Sequence, residues 1–246
     1  MKKLNSNQLK IIAVCAMIFD HLLWVIKPGY EKEIIYLILH TFGRIVAPIF
    51  CFFIAEGAHY TKNRKRYLAR LLGFAVISHF AYCFAFGINF IPFSNGTIFN
   101  QTSIMWSLAL GLIGIMINDS KLNNNLKIAL ILFLCVLGFP SDWSSVAVMI
   151  IIYDYAYRNN LKKQMITQTI FSAIYATVYC IFIDLWYGLL QMGTILSIPL
   201  LKRYNGERGK WKGMKYFFYL IYPLHLVACG LIRLYLHGNI SVMIGG

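Results

Sequence analysis

Of 246 residues, 59% are hydrophobic and 13% are charged, where an ordinary soluble domain carries roughly 25% charged residues. A mean hydropathy of +0.63 leaves too little polar surface to wet a globule and excludes an ordinary soluble fold. The net charge of +14 would suit nucleic acid only on a continuous basic face, and here the Lys and Arg residues are scattered between apolar runs, a membrane pattern.

In chain order the apolar runs cover roughly residues 9–26, 34–58, 67–91, 103–117, 126–139, 143–157, 167–187, 188–201 and 216–236. The first follows Lys2 and Lys3 as in a signal peptide, but it is long and has no small-x-small cleavage site, which predicts a retained first helix. A span takes about 20 residues. Five runs are that long; those at 103–117, 126–139, 143–157 and 188–201 are shorter and suit tilted, kinked or re-entrant pieces. Pro48, Pro199 and Pro223 fall inside runs, where neighbouring helices can satisfy the freed carbonyls. The expected fold is all-α, a polytopic transmembrane helix bundle of about nine membrane segments within a range of seven to ten, forming a single unit over residues 1–246.

Six cysteines each lie in an apolar run with no C-x-x-C spacing, so neither a disulfide framework nor a metal site is indicated. With the N-terminus in the cytoplasm and nine crossings, 19 of the 23 basic residues fall on the inner side, while residues 92–102 and 138–142 on the outer side hold none. The positive-inside rule favours that orientation.

The stretch "IFDHLLWVI" (residues 18–26) seats an acid and an imidazole, Asp20 and His21, among apolar neighbours. At 1.5 Å per residue, His21 lies ~18 Å from the inner end of the first helix, Arg44 ~15 Å from the outer end of the second, and His225 and His79 ~14 and ~18 Å from the inner face. In a hydrocarbon core ~30 Å thick these are midplane depths, where ionisable groups are costly unless paired or wetted and mark function by default. Adjacent helical residues diverge by about 100°, so Asp20 and His21 cannot clasp each other; one is expected to face Arg44 and the other a cavity. His40 is expected to satisfy a local bond, and Asp142 and Asp184 to sit near the outer face.

Glu56 and His59 end the second run, just before the basic stretch "TKNRKRYLAR"; a Gly-containing basic loop, "KRYNGERGKWKG", precedes the last helix. Backbone N–H groups around such glycines, with Lys and Arg, can hold the phosphates of a soluble cofactor. Positive-inside charge accounts for the same residues equally well.

The stretches "LKIIAVCAMIFDHLLWV", "FGRIVAPIFCFFIAEGAHYTKNRKRYLARLLGFAVIS", "QMGTILSIPLLKRYNGERG" and "KYFFYLIYPLHLV" together resemble the TraX family, in order and over most of the chain. The specific parts are Gly43-Arg44, Glu56-Gly57 with His59, the Tyr204-Asn205-Gly206 and Arg208-Gly209 loop, and Tyr222-Pro223 with His225. The match is loosest in mid-chain, where Asp142-Trp143-Ser144 stands for the family's Asp-Tyr-Gly. That family is linked to N-terminal acetylation of pilin subunits and is similar to wider membrane acyltransferases that draw on cytoplasmic acetyl-CoA. The resemblance implies a multi-pass acetyltransferase of a bacterial plasma membrane. It would move an acetyl group from acetyl-CoA to an amine or hydroxyl of a small molecule, peptide or sugar, with no metal and no nucleic acid. It implies catalytic roles for His21 as general base and for Asp20 and Arg44, the arginine acting on an oxyanion or on Asp20. It implies a cofactor-binding set of Glu56, His59, Arg64, Arg70, Asn205, Arg208 and His225. The same midplane residues would serve a proton-coupled transporter or flippase, the alternative left open by the residues alone.

Overall fold

A computed structural model describes residues 3–94, 96–211 and 213–242, without the Lys215 side chain; Lys2 and Lys212, counted above among the inner basic residues, lie outside them. Its elements are helices throughout. In order they are α1 (Ser6–Ile26), α2 (Ile34–Gly43), α3 (Val46–Tyr60), α4 (Arg64–Phe86), α5 (Ile104–Asn118), α6 (Asn124–Gly138), α7 (Ser144–Ala156), α8 (Leu161–Phe182) and α9 (Leu185–Leu190); a 3₁₀ turn (Gln191–Leu196) then leads into α10 (Ser197–Leu201), and α11 (Met214–His237) closes the chain. Five stretches are long and apolar enough to cross a bilayer, with α2 and α3 counted together as Ile34–Tyr60. Four shorter apolar pieces complete the nine expected segments among the described residues. This is an all-α membrane bundle.

Asparagine starts four of these helices. Asn5, Asn63, Asn123 and Asn160 each accept a backbone N–H of the first turn through the side chain, and Asn5 forms a full capping box with Gln8. All four lie at one face of the bundle, called here the N-terminal face, where most of the basic loops gather. Arg64 there donates to Asp119 Oδ2 at 2.6 Å, and Arg158 donates to Glu56 Oε1 at 2.8 Å. At the opposite face, Lys32 pairs with Asp184 and Arg233 donates to the carbonyls of Phe84, Ala85 and Ile240. These cross-links make the segments alternate in direction, as the charge pattern requires.

The short helices are the interior ones. α3, α5 and α7 are buried along most of their length and pack on one another, whereas the longer α4, α8 and α11 present rows of exposed apolar side chains such as Val76, Ile77, Ile170, Ile174, Leu220 and Leu224. A helix apolar all round belongs in a core, and apolar rows on the outside belong against lipid. The peripheral α6 is the exception, short yet exposed at Ile128, Leu132 and Val136.

Two expected continuities break. The run 34–58 is two helices with a turn at Arg44-Ile45, and Pro48 falls in the first turn of α3, where its missing N–H costs nothing. The run 67–91 stops at Phe86 because Gly87 adopts φ +71°, a left-handed helix end; a Cβ there would meet the Ile240 carbonyl oxygen.

Candidate functional site

The turn between α2 and α3 exists around Asp20. Its carboxylate accepts from His40 Nδ1 at 2.8 Å and from Arg44 Nη2, joining α1 to the last turn of α2 and to the residue that ends it. Arg44 is held at each of its nitrogens: Nε donates to the His40 carbonyl at 3.2 Å and Nη1 to Gln191 Oε1 at 3.3 Å. Asp20, His40 and Gln191 are all buried, so the ion pair is desolvated and its remaining hydrogen-bond capacity is met by neighbours. Gly43 permits this seating, since a Cβ there would collide with Asp20 Cγ. Asp142, in the loop between α6 and α7, feels the same arginine; burial pushes its carboxyl up to about 6, with Arg44 opposing and Asp20 adding to the rise.

His21 faces the other way, as adjacent positions on a helix must. Its Nδ1 lies 2.8 Å from Nε2 of His225 on α11, the rings are stacked, and the edge of Phe86 closes one side. The ring roles follow from the far end of the pair. His225 Nδ1 sits 3.0 Å from the Ile221 carbonyl, which only accepts, so Nδ1 carries the hydrogen. In a neutral pair Nε2 of His225 is then an acceptor and His21 Nδ1 the donor. That leaves the lone pair on His21 Nε2, which has no partner among the described residues, on a half-buried ring.

A cavity of about 640 Å³ opens from the N-terminal face between α1, α3, α4, α5 and α11. Lys10, Arg70 and Arg208 lie at its basic mouth, and the Arg70 Nε–H is buried without a partner. The mouth is built by the loop before α11, stitched to the start of α1: Leu4 N–H donates to the Arg203 carbonyl at 2.8 Å, Ser6 N–H to that of Glu207 at 2.8 Å, and Ser6 Oγ to that of Arg208 at 3.1 Å. The deepest lining residue of α1 is Met17, one turn before His21. That of α11 is Tyr222, whose ring meets His225 edge-on at 5.4 Å. The cavity floor therefore lies one helical turn from the histidine pair.

Of the residues singled out from sequence, Asp20, Arg44, His21 and His225 meet in the bundle interior as two neighbouring pairs. Glu56, Arg70 and Arg208 line the cavity, Asn205 adjoins its Gly206, and Glu56 is already held by Arg158. His225, assigned to the cofactor, instead partners His21. Arg64 turns to Asp119 and Tyr155, and His59 lies on a separate surface groove with Asp119 and Lys163, so neither reaches the cavity. His79, expected at the midplane, bonds Thr102 and the Phe90 carbonyl near the opposite face. His40, expected to satisfy a local bond, instead reaches Asp20 on α1; its place four residues before Arg44 on the same helical face was the available signal. Gln191 carried none.

The fold and this centre define a class: a helical membrane protein with ion-paired and imidazole-paired groups buried beside a basic-mouthed cavity. The chain belongs to the TraX family, whose model, described as TraX protein, matches residues 5–233. It is similar to the "Probable fimbrial assembly protein FimC, serogroup H1" of Dichelobacter nodosus, at 30% identity over 230 residues, covering 90% of this chain and 93% of that one. No solved structure matches.

Proposed function

We propose that the protein is an integral-membrane acetyltransferase, N-terminus in the cytoplasm of a bacterial cell, that transfers the acetyl group of acetyl-CoA to an amine or hydroxyl of a peptide or sugar. One observation carries this reading: the cavity joins a cluster of cations at the N-terminal face to the neighbourhood of a free imidazole nitrogen in the bundle interior. Lys10, Arg70 and Arg208 suit the phosphates of coenzyme A, and an apolar shaft lined by Val14, Phe53 and Leu71 suits its pantetheine arm. His21 Nε2 takes the proton from the acceptor as it attacks the thioester; the Nδ1 bond to His225 holds the ring in the required tautomer. Asp20, His40 and Arg44 fix α1 against the α2–α3 turn and so hold His21 in place. The fimbrial relative makes a surface-protein subunit a natural acceptor to test.

The test is release of the CoA thiol from acetyl-CoA by purified protein in detergent, with peptide and sugar acceptors. Acceptor-dependent release is expected in the parent and a loss of at least about 100-fold in His21→Ala, the scale of a missing general base. Acetyl-CoA that neither binds nor is consumed would sink the transferase in favour of a proton-coupled transporter.

A further inference from the structure

Acyl transfer builds negative charge on the carbonyl oxygen, and that charge needs hydrogen-bond donors already in place. Arg44, the donor expected from sequence, has three of its five N–H groups committed to His40, Gln191 and Asp20 and does not line the cavity. The cavity floor offers another set. Ser78 on α4 and Tyr222 on α11 line the floor, and Ser103 immediately precedes the floor residues Ile104 and Met105 of α5. All three hydroxyls are buried and without a hydrogen-bond partner; Ser78 and Ser103 are 0% exposed and Tyr222 is 6% exposed. Tyr222 and Ser103 are near enough to interact, short of a well-formed bond. Buried hydroxyls in an apolar bundle normally find partners, so Ser78 and Tyr222 on the floor of one cavity, with Ser103 beside Tyr222, call for a ligand.

The backbone adds to them. α5 begins here with no side-chain cap on its first N–H groups, and the partial positive charge of a 15-residue helix points at the same spot.

Resting on the acetyltransferase reading, we propose that Tyr222, Ser78 and Ser103, with the N-terminus of α5, form the site that binds the carbonyl oxygen of the acyl thioester and carries it as an oxyanion. The acceptor nitrogen or oxygen bonds to the carbonyl carbon while the carbonyl π pair moves onto oxygen, which takes hydrogen bonds from the hydroxyls. The acceptor's proton goes to His21 Nε2. Collapse re-forms the carbonyl, breaks the carbon–sulfur bond, and the proton passes from His21 to the departing thiolate. Atoms and charge balance without a co-reactant.

Tyr222→Phe keeps the ring and removes only the donor; Ser78→Ala and Ser103→Ala do the same at smaller cost in shape. Thiol release should fall about 100-fold in kcat for Tyr222→Phe, the effect of one lost oxyanion donor, with the Kd of free CoA, which has no carbonyl to lose, unchanged. The infrared carbonyl band of ¹³C-acetyl-CoA should shift to lower frequency on binding the parent and relax towards its free position in Tyr222→Phe. A kcat within twofold of the parent in all three variants would overturn the site. So would weaker binding of CoA and acetyl-CoA alike, which marks a cofactor contact. A parent that turns nothing over and binds no acetyl-CoA removes the transferase itself, a result distinct from active parent and unaffected variants.

Discussion

Asp20 sets the demand that the surrounding residues meet. Its buried carboxylate needs a cation and a second donor, and Arg44 and His40 supply them from one face of α2 and its end. The close approach leaves no room for a side chain at position 43. Gly43→Ala should therefore push the turn away from α1, lowering stability by about 1–3 kcal/mol, the usual cost of overpacking. A thermal melt in detergent measures it, and an unchanged melting temperature would refute the tight seating. The Asp20–Arg44 pair was legible because two opposite charges stood at matching depth in an apolar sequence. Buried hydroxyls such as Ser78 and Ser103 were not, because Ser occurs throughout membrane helices and only a missing partner distinguishes them.

Among the elements, hydropathy and charge located all nine segments, since lipid penalises every unpaired polar group and basic loops mark the ends. Interior breaks escaped that reasoning. The α2–α3 turn has one local signal, Pro48, which has no N–H to give the Arg44 carbonyl four residues earlier and so favours a helix start just ahead of it; pairing with Asp20 then fixes the geometry of the turn. Buried helices can also carry polar groups that pattern does not explain. Asp154 on α7 is 0% exposed; its Oδ2 accepts from Gln168 Nε2 at 2.7 Å, while Asp154 Oδ1 and Gln168 Oε1 lack partners. A side chain that both donates and accepts would close this ring of bonds. Asp154→Asn, which has an N–H to give, should melt at or above the parent's temperature. Asp154→Leu should cost about 1–3 kcal/mol by stranding the amide. Equal destabilisation by both would show that the carboxylate itself is required.

For the whole molecule, the two faces differ in charge. On the proposed acetyltransferase reading, delivery of a soluble donor to Lys10, Arg70 and Arg208 requires the N-terminal face to be cytoplasmic. In a cysteine-depleted background, Ser94→Cys should react with a membrane-impermeant thiol reagent on intact cells, and Lys121→Cys only after permeabilisation. The reverse labelling would invert the topology and place the mouth of the cavity outside the cell.

The mouth also joins the beginning of the chain to its end, because the segment around Leu4 to Ser6 is bonded to residues about two hundred positions later. During synthesis the loop that bonds to the start of α1 is made only after α2 to α10 have followed α1. A stalled or truncated chain can thus settle in the bilayer, bury its Asp20–Arg44 pair, and still lack the binding surface at its threshold. On the acetyltransferase reading, catalytic competence would arrive only once that late loop has been made.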